Sequence, residues 1–517
     1  MKRILLLIIA SLLTASAGAA KRPNILFIIA DDASRDSFGA YGSSYVKTPN
    51  FDRIANEGVM FTQAYNCNPK CAPARACLLT GRYSWQLEAA GNHNPFLPEK
   101  WKFFPYLLEQ SGYFMGFTGK GWGPGKWAGH DGQKGKFEQD NPAGHPFQDA
   151  KAKPTYKGIS SRDYAANFAQ FLKVRPQDKP FTFWLGTHEP HRGYGKDNWK
   201  KDGRNLADVT VPAYYPDNEI VRGDLADYAI EVEWYDKHIG LALKHLNDAG
   251  ELDNTVIIAT SDHGMPFPRV KGQIYDDGFH IPFAVRWGDQ IKPGRVVTDF
   301  ITFPDLAPTL LEIAGLPKHP QMTGQSFVKQ LMAETSGRID AQRSYTLLGK
   351  ERHDIGRTDG DLLSVGYPAR ALRTDRFLYV RNFKPNRWPG GDPDYGLKNC
   401  DGSPTKSFLT GLSAGDKDYR FYELAFGKRA GEELYDMRKD SDCVNNLAAD
   451  PAFAKTKNRM WRQLEQRLKA QGDPRVLGNG DIFDAYPNCQ IERQQDLYGD
   501  KNWDPVKIFE KKYGNGG

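Results

Sequence analysis

The sequence predicts an α/β protein: a large, mostly parallel (mixed) sheet flanked by helices, with a smaller C-terminal α+β subdomain. Three observations carry this. Four short apolar runs each end in polar residues, helical patterns lie between them, and after about Ile339 the texture changes to alternating segments. β-branched and aromatic runs bounded by loop residues suit strands buried on both faces. Their alternation with helices implies a parallel sheet covered on both sides.

The elements follow in order. NILFIIADD (24–32) ends in Asp31 and Asp32, YFMGFTGK (113–120) in Lys120, FTFWLGTH (181–188) in His188, and TVIIATSDH (255–263) in Asp262 and His263. Thr48-Pro49 starts a short helix that stops near Gly58, and Asp224 is expected to cap a longer one through Leu225, Ala229, Val232, Ile239 and Leu246, stopped by Gly250. Beyond Ile339, SYTLLG, RALRTDRFLYVRNF and ELYDM alternate like antiparallel strands, and an amphipathic helix spans 452–470. Residues 472–517, rich in Gly, Asp, Asn and Pro, read as an irregular wrapping tail. The resulting division is 1–20, an α/β domain at 21–339, and the α+β subdomain with its tail at 340–517.

Residues 1–20 combine Lys2 and Arg3, an apolar run over 4–13 and the small residues Ala17-Gly18-Ala19, the pattern of a signal peptide. The run is far short of the roughly 20 residues needed to span a bilayer. An exported chain, periplasmic or secreted and without a membrane span, is therefore expected. The net charge of +6 falls to +4 once Lys2 and Arg3 leave, so no general attraction to polyanions, and no nucleic-acid partner, follows from it. A local basic pocket stays open. Six cysteines in 517 residues make no disulfide scaffold, although Cys67 and Cys77 are close enough in sequence to pair.

In such sheets the ligand sits beyond the carboxyl ends of the strands. One crevice would then receive Asp31, Asp32, Lys120, His188, Asp262 and His263. Three carboxylates suit a hard divalent cation such as Ca²⁺ or Mg²⁺, while the softer imidazole of His263 also suits zinc or manganese. Lys120 and Lys271 are of a type more often found solvated at the surface, but near a metal they could clamp an oxyanion. CAPARACLLTGR (71–82) belongs to the same place, because Pro73 suits the first turn of a helix and Cys71 then sits just before its N-terminus. Unpaired N–H groups there favour anions.

These residues resemble the formylglycine-dependent sulfatases of the alkaline-phosphatase-like superfamily. Cys71, Pro73, Arg75, Thr80, Gly81 and Arg82 match the family signature, and Asp31-Asp32, Lys120, His188-Glu189-Pro190, SDHG at 261–264 and ELYD extend the likeness over nearly the whole chain. The resemblance implies that a formylglycine-generating or anaerobic sulfatase-maturating enzyme oxidises Cys71 to formylglycine, whose hydrate attacks sulfur. It implies that Asp31, Asp32, Asp262, His263 and residue 71 hold a cation, Ca²⁺ by analogy, with Mg²⁺ or Mn²⁺ as alternatives. Arg75 then orients the hydrate, Lys120 and Lys271 neutralise the sulfuryl oxygens, and His188 is the general acid. One departure stands out: the family usually has Lys-x-His where this chain has Lys120-Gly121-Trp122. THEPHR (187–192), SDHGMPFP followed by Lys271, and KERHD (350–354) resemble the heparan N-sulfatase branch. That likeness implies removal of the N-sulfate of glucosamine from heparin or heparan fragments, with His191, Arg192, Arg352 and His353 on the saccharide. The alternatives are an O-sulfatase, a phosphonate monoester or phosphodiester hydrolase of the same superfamily, and a glycan-binding protein with a dead site.

Overall fold

A computed structural model describes residues 22–127, 140–360 and 362–513. The expected signal peptide lies outside the described residues. Strands β1 (Asn24–Ala30), β2 (Val59–Phe61), β3 (Phe114–Gly119), β4 (Phe181–Gly186), β5 (Thr255–Ser261), β6 (Phe283–Arg286) and β7 (Arg295–Val297) form one sheet in the order β3-β4-β1-β5-β6-β2-β7. The run β3-β4-β1-β5 is parallel throughout, and β6 is antiparallel to both its neighbours. Leu26 of β1 lies opposite Phe183 and Ile257.

Side chains alternate across a strand, so β1 feeds two cores. Ile25, Phe27 and Ile29 pack on one side with Leu78, Leu79 and Leu310, while Leu26, Ile28 and Ala30 pack on the other with Phe168, Leu225 and Ile239. Helices α2 (Cys71–Thr80), α3 (Tyr164–Val174) and α4 (Glu219–Asp248) supply most of these residues, and α1 (Pro49–Asn56) adds Phe51 and Ile54 to the second core. Full burial of each such aliphatic side chain stabilises the fold by about 1.5–3 kcal/mol. The expected cap at Asp224 is corrected here. Asn218 caps α4 by accepting from Val221 N at 3.0 Å, and Asp224 lies inside the helix, where it accepts from Arg192 and from the Thr405 hydroxyl at 2.6 Å.

The second sheet is antiparallel, in the order β8 (Tyr345–Lys350), β9 (Ala369–Thr374), β10 (Phe377–Asn382), β11 (Glu432–Asp436). Helix α5 (Ala454–Ala470) lays Met460, Leu464 and Leu468 onto Leu347, Leu372, Tyr379 and Leu434. The tail departs from the irregular segment expected: short helices form at Ile482–Ala485, Ile491–Tyr498 and Pro505–Tyr513. Phe483, Tyr486 and Phe509 anchor it in the same core as α5, apolar burial that a reading weighted on Gly and Pro content overlooks. Among the described residues, no helix is long and apolar enough to cross a membrane, and all six cysteines are free.

Candidate active site

Because β1, β3, β4 and β5 are parallel neighbours, their carboxyl ends open on one edge of the sheet. They deliver Asp31 and Asp32, Lys120, His188, and Asp262 and His263, respectively. Two local features make this convergence possible. Asp32 adopts the left-handed conformation (φ 75°), which short polar residues tolerate, and its N–H donates to Asp262 Oδ1 at 3.0 Å. Gly119 (φ 72°) has no room for a side chain: a Cβ there would lie 1.8 Å from Gly186 O, so the ends of β3 and β4 touch.

Helix α2 begins at Cys71 itself, one position earlier than expected, with Lys70 as its extended N-cap. Cys71 Sγ is 3.2 Å from His263 Nε2 and 3.9 Å from Asp32 Oδ1. Potential ligand atoms of Asp31, Asp32, Cys71 and His263 all lie within 4.8 Å of one another. Asp262 stands beside this group, with Oδ1 3.7 Å from His263 Nε2 and Oδ2 accepting from Arg75 Nε at 2.8 Å. Arg75, fully buried, also donates to the carbonyls of Lys120 and Gly121 at 2.8 Å each, so α2 is tied to the turn that presents Lys120.

Cations close over the carboxylates. Lys120 Nζ reaches Asp31 and Lys271 Nζ reaches Asp32, each at 2.5 Å, and Lys271 also meets Asp401 at 2.7 Å. Burial would raise the Asp31 pKa, but Lys120, His191 and Arg75 hold it well below the usual range. Asp262 is pushed up to about 7 by burial and by Asp31, against His263 and Arg75. Despite burial, Asp262, Asp32 and the Cys71 sulfur raise the His263 pKa well above its ordinary value. Ligation of a cation calls for neutral imidazole and ionised carboxylates, so a bound metal would compete with protons at these donors. This buried set fits a divalent cation. Burial would raise the Cys71 thiol as well, as would Asp31, yet Lys120, His263 and Lys271 bring it well below its ordinary value.

A cleft of about 640 Å³ opens above this floor, lined by Cys71, Lys120, His188, His191, Arg192 and Lys271 among others. His188 stands open to it. Confinement, together with Lys120, Arg162 and Arg75, lowers its pKa to about 4, against the pull of Asp31. His191 donates from Nδ1 to Arg192 O at 2.9 Å and turns Nε2 toward Asp32, 4.0 Å away. Arg192 lines the wall but is already paired with Asp224. Arg352 and His353 depart from expectation. Both are buried behind the wall, Arg352 near the Asp484 carbonyl and His353 on Asn68 Oδ1 at 3.0 Å, and neither lines the cleft. The residue of KERHD that does is Asp354, which pairs with Lys70 at 2.8 Å and with His93 at 3.1 Å. Asp354, Asp401 and His93 are site residues that sequence reasoning missed. The one available signal was Lys70, a cation next to Cys71 that needs a partner. Trp122 occupies the cleft wall with its indole N–H unpartnered.

The family model for sulfatases matches residues 23–316. The chain belongs to the sulfatase family. It is therefore a hydrolase of sulfate esters or sulfamates. It is 28% identical over 516 residues to human N-sulphoglucosamine sulphohydrolase, covering 91% of this chain and 95% of that protein. It is also 28% identical over 470 residues to an ulvan-active sulfatase of Formosa agariphila, covering 90% and 83%. The fold matches that of a solved protein in complex with its substrate D-glucosamine-2-N,6-O-disulfate, with TM-score 0.61 and 21% identity over 88% of this sulfatase and 99% of that chain.

Proposed function

We propose that this sulfatase hydrolyses sulfated glycans through residue 71 converted to formylglycine, and that its preferred bond is the N-sulfate of a terminal glucosamine. The observation that carries the first part is the position of Cys71, with Sγ 3.2 Å from His263 on a cleft floor shared with Lys120 and Lys271. The likeness to an N-sulphoglucosamine sulphohydrolase over nearly the whole of both chains supports the second.

Asp31, Asp32, Asp262, His263 and residue 71 would hold a divalent cation, Ca²⁺ by preference for the carboxylates, which when bound supplies Lewis-acid polarisation. As the hydrate of formylglycine, residue 71 supplies two hydroxyls on one carbon: one loses its proton and attacks sulfur, displacing the amine nitrogen, and the other then loses its proton so that the C–O bond to sulfate breaks and the aldehyde returns, without a second attack at sulfur. Lys120 and Lys271 neutralise charge on the sulfuryl oxygens, and Arg75 keeps α2 in register with Lys120. His188 gives an imidazole proton to the departing nitrogen. It is mostly neutral in the free cleft at pH 7, and the negative charge of an arriving sulfate raises its pKa toward the working range. Trp122 has no basic nitrogen, so no base comes from that position.

Two measurements test the reading. Mass spectrometry of the tryptic peptide CAPAR from active protein should show the aldehyde or its hydrate, and activity with wholly unmodified Cys71 sinks the nucleophile. Incubation with N-sulfoglucosamine and with glucosamine 6-sulfate should release sulfate and free amine from the first. Release only from the 6-O-ester overturns the N-sulfate assignment and leaves the sulfatase chemistry standing.

A further inference from the structure

We propose that helix α5 is a second saccharide-binding surface, separate from the cleft, that holds the chain of a sulfated polysaccharide by its charge. None of its residues lines the active-site cleft. Its seventeen residues carry six Lys and Arg against the single acid Glu465, an excess of five, where the whole chain has an excess of six. This helix is thus far more basic than the chain as a whole, in which 69 Lys and Arg are nearly balanced by 63 Asp and Glu.

Packing fixes where those cations point. Met460, Leu464 and Leu468 are spent on the second sheet, which leaves the opposite face to Lys455, Arg459, Arg462, Gln466 and Lys469, all exposed. Steps of three and four residues place them in one stripe, about 21 Å long at the helical rise of about 1.5 Å per residue. Among the described residues no ion-pair partner faces Lys455, Arg459 or Arg462; Lys469 meets Glu465 at 2.9 Å, and Lys457, beside the stripe, meets Glu432 at 3.1 Å. Arg381 of β10 extends the surface, with its guanidinium 5.1 Å over the Trp461 ring.

Folding does not call for this pattern. A lysine in the first turn opposes the helix dipole, and like charges three and four residues apart repel. Glutamates at any of these exposed positions would keep the packing and remove the repulsion. Solubility alone is met by mixed charges. A row of exposed cations, of which Lys455, Arg459 and Arg462 have no ion-pair partner among the described residues, is matched instead by a linear polyanion, and arginine suits oxyanions that accept two parallel hydrogen bonds. An anionic membrane is the weaker match, because α5 exposes no large apolar side chain to insert. The choice of a sulfated saccharide as the polyanion rests on the proposed function of the cleft.

The test replaces Lys455, Arg459, Arg462 and Lys469 together by Gln in the full chain, with circular dichroism to verify folding. The variant should elute from immobilised heparin at distinctly lower salt than the parent. Its KM on long heparin chains should rise about tenfold with kcat unchanged, in line with the loss of several salt-dependent contacts, and its constants on a sulfated monosaccharide should stay within about twofold. Unchanged retention and KM on heparin overturn the proposal. So does a parent that binds phosphatidylserine–phosphatidylcholine vesicles but not heparin. Retention needs no turnover, so the two proposals fail separately: a parent held through α5 that releases no saccharide sulfate sinks the proposed function alone, and a parent that releases it while the variant is held equally sinks this one.

Discussion

The two sheets of this sulfatase contribute to the cleft in different ways. The first supplies its residues from four adjacent parallel strand ends, so backbone register alone brings Asp31, Lys120, His188 and Asp262 together. The C-terminal part supplies Asp354 and Asp401 from loops that follow β8 and β10; both line the cleft, and each pairs with a lysine from the part that carries the first sheet, Lys70 or Lys271. On the proposed function, one part carries the reacting groups and the other fixes the charge of the lysines beside them.

This division predicts a gradient of mutational effects. Cys71→Ala or Asp31→Asn should abolish turnover, by about 10³-fold or more, while the fold is kept. Asp31→Asn should also release bound metal, read by elemental analysis. Full activity in a metal-free preparation contradicts the arrangement.

His188→Ala should cost about 10²-fold or more in kcat/KM, the range of a lost general acid. With its pKa near 4 in the free cleft, the protonated fraction falls tenfold per pH unit above that value. The wild-type kcat/KM on a sulfamate should therefore decline with rising pH, and the variant should lose that dependence. An aryl sulfate with a good leaving group should suffer much less, and equal losses on both substrates would contradict a proton-donating role.

Asp401→Asn is the test of the C-terminal half. Lys271 would keep Asp32 but lose its second carboxylate, and second-sphere changes of this kind cost about 10-fold or more. The expected loss falls on kcat/KM with the metal content unchanged. A loss as large as that of Asp31→Asn would erase the distinction between the two halves.

The same division decides what could be read from the sequence. Strand ends announce themselves, since an apolar run followed by Asp-Asp, Gly-Lys, Thr-His or Asp-His already names its site residue. Asp354 and Asp401 follow no such run, and their roles exist only because long loops return to lysines some 130 or more positions away in sequence, as with Lys271 and Asp401. His353 and Arg352 show the converse failure: cationic residue types suggested saccharide contact, and burial behind the wall cannot be seen in a local motif. The error at Asp224 has another cause. Two capping residues, Asn218 and Asp224, compete in one sequence, and the apolar pattern already permits the earlier start.

The smallest effect should come from Arg352. It is buried with Nε and Nη2 unpartnered, and its pKa is lowered to about 10 by burial, only partly opposed by Asp484. A desolvated cation with incomplete hydrogen bonding costs folding energy, and well-packed apolar replacements of buried charges are often neutral or stabilising by about 1 kcal/mol or more. Arg352→Met keeps the length of the stem and removes the charge. We expect KM on a sulfated saccharide to change by less than about twofold, with the unfolding midpoint unchanged or higher. A tenfold rise in KM with the fold intact would return Arg352 to the saccharide and make the C-terminal half a direct binding wall. An unchanged KM leaves that half its indirect part, through Asp354 and Asp401 on the lysines of the floor.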